Sequence, residues 1–496
     1  MPNHFLVFLG GTGAKCAEAL VQLAASGAAG GTDLTYHILT VDVDATNGNR
    51  KRALEAINRY QLLREQFPAS DRFVGSSLFA PRIMHYDWHI QMPDVFAFSA
   101  GVDCLNAMRT QNNPDELDLM RLLYSDDEMG FNFAREGFHA IPAIGAPVLQ
   151  YILREGLGME PLEAFVNVMR AEVGAQSHLI LVGSIFGGTG ACGVPALMRY
   201  FTEQMHNVAL SGRLHVHAVL LLPYYHFADP GTDEPMAVHA RRFYNNARGA
   251  LAFYRDMEKE LRYERLYLLG SPVDYNMGAY HPGMEHQQNP PTPVEWESAL
   301  AIVHCVSTPI EANEGAKHFI HSVRGVGGAG VGSAPQSLIL AWRDFSLPIA
   351  GPVGTMLRFC AAYLGYYRQY ISRNRQRHSG VKPFMKELIQ PYLDQMEHET
   401  QAFLVLEEFC QRFWAWARES MDHEILQQAC FTEKVTNTQG YPYRALNQLA
   451  QGVSAPRWTV VEDAVFDGIR PLRGEDERVE YNAGLFVHGL YAHCAP

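Results

Sequence analysis

The chain alternates short apolar runs with longer segments in which apolar residues recur at helical spacing. His4 to Leu9 is a continuous apolar run of strand length, after which Ala17, Leu20, Val21 and Ala24 keep the spacing of a helix buried on one side. Tyr36 to Val43 predicts a second strand, followed by a charged helix through about Tyr60. Leu179 to Phe186, Val216 to Leu222 and Arg265 to Gly270 predict three more strands. Runs that are apolar throughout, rather than alternating, belong to strands covered on both faces. The pattern therefore predicts an α/β fold with a parallel, Rossmann-like sheet. Residues 61–113, interrupted by Pro68, Pro81 and Pro93, read as an insertion with short helices. Ala134 to Gly145 reads as a turn-rich loop before a helix from about Ala146, and a further helix is expected from Val294 to about Val306.

Past residue 323 the pattern changes. Gly325, Gly327, Gly328, Gly330 and Gly332 mark a glycine-rich hinge over 324–335, which separates a nucleotide-binding domain (1–323) from a mainly helical C-terminal domain (336–496). In that second part Phe403, Leu406, Phe409, Phe413 and Trp416 make an apolar stripe at helical spacing. The basic run from Arg368 to Lys382 reads as a solvated helix end, and Leu485 to His488 as a short strand-like piece.

A chain of 496 residues that is 47% hydrophobic can bury sizeable cores in two main units. The formal charge of −13, spread over a chain in which charged residues make up 19%, argues against a nucleic-acid coat. Eight cysteines with no C-x-x-C pair suit free thiols in a reducing compartment. The first apolar run has no basic region ahead of it and is too short for a signal peptide or a membrane span. The expectation is a cytoplasmic protein with neither a membrane nor a nucleic acid as partner.

The candidate chemistry lies in a repeated motif. GGTGA occurs at Gly10, Gly11, Thr12, Gly13 and Ala14, with Lys15 next, and again at Gly187, Gly188, Thr189, Gly190 and Ala191. Each copy follows an apolar strand and precedes a helix. Such a turn aims several backbone N–H groups at one point beside the positive end of a helix dipole, and glycine lets a phosphate approach the main chain closely. One copy alone has the plainer meaning of a bend between strand and helix. In a parallel sheet, however, two such turns open on the same edge. Asp42 and Asp44 end the second strand beside them. The first turn also partly fits the dinucleotide fingerprint G-x-G-x-x-G with Asp42 as its ribose acid, but Cys16 stands where the third glycine belongs.

Over roughly Phe5 to Ile320 this arrangement resembles the tubulin/FtsZ superfamily of GTPases. Its signature loop, G-G-G-T-G-[S/A/T]-G, is matched by Gly187 to Ala191, with Phe186 and Cys192 in place of the flanking glycines. Gly10 to Ala14 resembles its first glycine loop, and Asp42 and Asp44 its acidic loop. Pro142 and Gly145 stand in the place of a further phosphate-contacting loop, and LLLPYYHF at Leu220 to Phe227 is similar to the strand end near the ribose. The resemblance implies GTP or GDP as ligand, with Mg²⁺ bridging the phosphates, and Glu297 as base reader. It also implies that Glu311 and Glu314 position the attacking water for the next subunit of a homo-oligomer or filament. The helical C-terminal region would then offer a surface for a protein partner. Two other readings stay open: an NAD(P)-dependent oxidoreductase, and a nucleotide-free interaction scaffold.

Overall fold

The computed structural model describes residues 2–68, 77–90, 105, 121–131, 133, 137–156, 158–174, 176–206, 213–228, 240–261, 263–271, 274–279, 285–310, 317–322, 342–364, 400–421 and 483–495. Its centre is a seven-stranded sheet in which every paired strand is parallel. In chain order the strands are β1 (Asn3–Leu9), β2 (Thr35–Asp42), β3 (Arg82–His89), β4 (Ser177–Ser184), β5 (Leu214–Leu221), β6 (Arg265–Gly270) and β7 (Lys317–Ser322). In space they run β3-β2-β1-β4-β5-β6-β7. The first three strands step outward one way, and the chain then returns to the far side of β1 and steps outward the other way. β1 and β4 are thus neighbours, with Phe5 beside Leu179 and Leu9 beside Gly183, and the order reverses between them. β2 and β4 are buried along their whole length, as continuous apolar runs require.

Both glycine turns are wound directly into helices. α1 (Gly10–Ala25) begins at the residue after β1, and its N-cap, Leu9, supplies no side-chain hydrogen bond to the first turn. Next come α2 (Gly48–Gln66), α3 (Pro142–Glu155), α4 (Glu160–Glu172), α5 (Gly188–His206), α6 (Ala240–Asp256) and α7 (Pro293–Ser307). α1 packs against α2 and α7 on one face, whereas α3 packs on α5 and α4 lies on β3. α2 starts where Asn47 caps it, the side-chain oxygen accepting from the backbone N–H of Asn49 (3.0 Å) and Arg50 (3.2 Å). α7 starts with a reciprocal capping box between Thr292 and Glu295.

Three sequence expectations need correcting. Within 61–113, α2 runs to Gln66 and residues 82–89 form the edge strand β3, whose polar composition (RIMHYDWH) concealed it. The helix expected from about Ala146 begins at Pro142, so Gly145 is a helical residue rather than part of a loop. Leu485 to His488 lies inside a helix rather than a strand. The glycine-rich hinge and the basic run from Arg368 fall outside the described residues.

The C-terminal region is helical where described: α8 (Trp342–Ala362), α9 (Thr400–Met421) and α10 (Ala483–His493). The apolar stripe of α9 lies on α2 and α7. Phe67 meets Phe403 at 5.6 Å between ring centroids, Phe79 meets Phe409 at 5.1 Å, and Trp296 stacks on Trp416 at 4.3 Å and 10°. α10 is tied to the rest by Tyr491, whose hydroxyl donates to the Ser26 carbonyl (2.7 Å). The buried side chains of these helices and of the sheet form one continuous cluster.

Candidate functional site

The carboxyl ends of β1 and β4 open into a cleft of about 750 Å³, counting its mouth. This is the point where the strand order reverses, and there the helices after the two strands diverge and leave a crevice. Gly10, Gly11 and Thr12 line one side, and Gly187, Gly188, Thr189 and Gly190 the other. The two motifs touch. A Cβ built on Gly10 would lie 3.2 Å from the Thr189 Cβ, and Gly10 has a φ of +72°, a left-handed conformation suited to glycine. Gly190 is required by packing, since a Cβ there would lie 2.6 Å from the Ser184 carbonyl oxygen.

Asp42 and Asp44, at the end of β2, also line the cleft. Asp42 accepts from the Thr189 hydroxyl (3.2 Å) and the Val43 N–H (2.8 Å), so it bridges the acidic loop and the second glycine turn. Burial, and secondarily the charge of Asp44, push the Asp42 carboxyl up from 3.8 to about 7. Among the described residues the lining includes no lysine or arginine, and its carboxyl groups are those of Asp42 and Asp44.

A third wall comes from Gly137 to Ala140. His139 and Ala140 both hold positive φ (42° and 50°), a conformation costing on the order of 1–3 kcal/mol per non-glycine residue. Asn246 of α6 fastens this wall to the second glycine turn, its Nδ2 donating to the carbonyls of Ala140 (2.7 Å) and Phe186 (3.0 Å). The fourth side carries amides. Asn47, Asn49, Gln287 and Asn289 line it, with Asn47 Nδ2 donating to Gln287 Oε1 (2.5 Å) and the Asn289 N–H to Asn49 Oδ1 (2.8 Å). Tyr225, Phe227 and Phe243 add aromatic surface.

The remaining residues singled out from the sequence lie elsewhere. Lys15 turns away from the cleft, its Nζ 2.5 Å from Glu295 Oε1 with both side chains buried. Gly13 and Ala14 sit inside α1; a Cβ on Gly13 would come within 2.9 Å of the Phe8 carbonyl carbon. Gly145 packs against Cys192 and Phe138 rather than facing the cleft, and Ala191 faces a separate groove between α3, α5 and α6. Glu297 is wholly buried in α7 and does not line the cleft. Glu311 and Glu314 lie outside the described residues. The sequence does not single out the amide wall or Asn246, because Asn47 reads as part of a turn into the charged helix, Asn246 as an ordinary helix residue, and Gln287 and Asn289 as parts of a Pro- and Gln-rich loop.

Cys16, Cys192, Cys305, Cys360, Cys410 and Cys494 are free and buried among the described residues. Within those residues no helix is long and apolar enough to cross a membrane. No family model, curated protein or solved structure matches the chain.

Proposed function

We propose that this chain binds a guanine nucleotide, GTP or GDP, in the cleft between β1 and β4, as a divergent relative of the tubulin/FtsZ GTPases. The observation that carries this reading is the convergence of two GGTGA turns, 177 positions apart in the sequence numbering of Gly10 and Gly187, on one crevice. Each helix start brings N–H groups and a positive dipole end to a place where a polyphosphate can lie between them. Among the described lining residues, backbone N–H groups, and a cation held by Asp42 and Asp44, would be the means of holding such an anion.

The donor set fits Mg²⁺. Asp42 and Asp44 are hard oxygen ligands at the cleft wall, and a divalent ion would offset the burial, and after it the charge of Asp44, that raise the Asp42 carboxyl. Held by Asp42 and Asp44, the ion would supply positive charge to offset that of a polyphosphate in the cleft. The amide wall takes the role first assigned to Glu297, since Asn and Gln side chains both donate and accept toward a base or ribose. Hydrolysis on self-association into oligomers or filaments, with Glu311 and Glu314 positioning water, belongs to the same proposal. So does a protein partner on the helical C-terminal region.

Identification of the nucleotide that copurifies with the native chain, followed by titration with GTP, GDP and ATP, tests the reading. Guanine nucleotide in the native protein, and at least about tenfold weaker GTP binding by a folded Gly11→Val variant, are the expected results. A folded chain that binds none of the three nucleotides overturns it. Sedimentation with GTP against GDP then tests assembly separately.

A further inference from the structure

The opposite, amino-terminal end of the sheet holds a second concentration of chemistry. His178 stands beside His215 across the β4–β5 ladder, and His217, two residues further on, shares their face because strand side chains alternate. That face is covered by α7, which brings in Cys305. His178, His217 and Cys305 are all buried, and one ligand atom from each lies within 4.8 Å of the other two.

Packing alone accounts poorly for this cluster. His178 Nδ1 and His217 Nε2 share one hydrogen bond (2.9 Å), but the other ring nitrogen of His217 is buried with no hydrogen-bond partner among the described residues. The same is true of Nδ1 of His4, whose ring lies 5.1 Å from that of His178. An unsatisfied buried polar atom costs about 1–3 kcal/mol, and apolar side chains of similar volume would avoid the cost.

We propose that His178, His217 and Cys305 form a metal site, distinct from the cleft, for a soft monovalent ion, Cu(I). Two imidazoles and a thiolate are soft to borderline donors, and three of them give the low coordination number that Cu(I) accepts. Charge decides between Cu(I) and Zn(II). The three ligands supply a single negative charge, and the Arg265 guanidinium is fixed beside Cys305 by donating to its carbonyl (3.1 Å) and to that of Thr308 (3.0 Å). A divalent ion would leave a larger uncompensated positive charge in a buried site, whereas Cu(I) and a thiolate neutralise each other. On binding, the Cys305 S–H gives its proton to solvent as the sulfur–metal bond forms.

The test is an anaerobic titration of the full chain with Cu(I) against a chromophoric chelator, with X-ray absorption at the copper edge. One tightly bound Cu(I) per chain with one sulfur and two nitrogen neighbours is expected. Cys305→Ser should weaken binding by about tenfold or more, while Cys410→Ser leaves it unchanged. Equal binding by a folded Cys305→Ser chain, a copper shell lacking sulfur, or no binding by the wild-type chain overturns the site. Retention of Zn(II) on these ligands in preference to Cu(I) overturns the choice of ion. The wild-type absorption spectrum decides the matter even if the serine variant fails to fold. The outcome is independent of nucleotide binding, because none of these residues lines the cleft.

Discussion

Asp42 is the residue on which the electrostatics of the cleft turn. Its carboxyl, raised from 3.8 to about 7, binds a proton more tightly in the folded chain than in the unfolded one. The stabilising contribution of that proton is fully present below about pH 4 and is lost as the pH rises through about 7. Asp42→Asn imitates the protonated form, so it should stabilise the ligand-free chain at pH 8 by about 1–3 kcal/mol and have little effect at pH 4. Urea denaturation of both proteins at the two pH values measures the difference. Mg²⁺ with GTP should reverse the order, raising the melting temperature of the wild-type chain more than that of the variant. Gly190 makes a steric prediction at the same scale. A methyl group there would meet the Ser184 backbone on two sides, with N at 2.8 Å and O at 2.6 Å, so the β4–α5 junction would have to move. Gly190→Ala should cost about 2 kcal/mol or more in a denaturant titration.

Among the elements, α1 and α7 are joined by a buried ionic knot rather than by apolar packing alone. Glu295 Oε1 takes the Lys15 ammonium and the Tyr224 hydroxyl, each at 2.5 Å, while Oε2 accepts the Thr292 N–H (2.6 Å) in the cap of α7. Removing one charge strands the other in the interior. Lys15→Met or Glu295→Gln alone should therefore cost about 3–5 kcal/mol, and the double variant less than the sum of the two. A double-mutant cycle from chemical denaturation reads this directly. The same knot shows what sequence could and could not reveal. The glycine turns, Asp42 and the central strands were legible because apolar runs and glycine clusters are local signals. Lys15 follows the first glycine turn by two residues, and sequence alone placed it in the cleft. Its partner is 280 positions on, at Glu295, and only the packing of α7 on α1 turns it away. β3 was missed because an edge strand needs no continuous apolar run, and the amide wall because four polar residues from two distant segments meet only after folding.

For the whole molecule, the sheet and the C-terminal helices are best understood as one cooperative body. A glycine-rich stretch between two composition regimes suggests separable domains, but α9 covers α2 and α7 with the aromatic stripe that an isolated helix would leave in water. Trp416 stacks on Trp296, and Arg59 of α2 pairs with Glu408 of α9 at 2.5 Å. Exposing such a stripe on truncation would uncover apolar side chains worth about 1.5–3 kcal/mol each on both surfaces. α7 is the element placed between the two halves, packed on α1 and β4 on one side and on α9 through the tryptophan pair on the other. A chain ending at 323 should accordingly bind hydrophobic dye and aggregate, and Trp416→Ala in the full chain should lose about 3–5 kcal/mol. The full chain should unfold in one calorimetric transition, since α9 cannot leave without opening the helix layer that backs the cleft. Two well-resolved transitions, the first retaining the circular dichroism of an intact sheet, would show instead that the helices act as a separately folding unit and that the tryptophan stack contributes little to the core beneath the cleft.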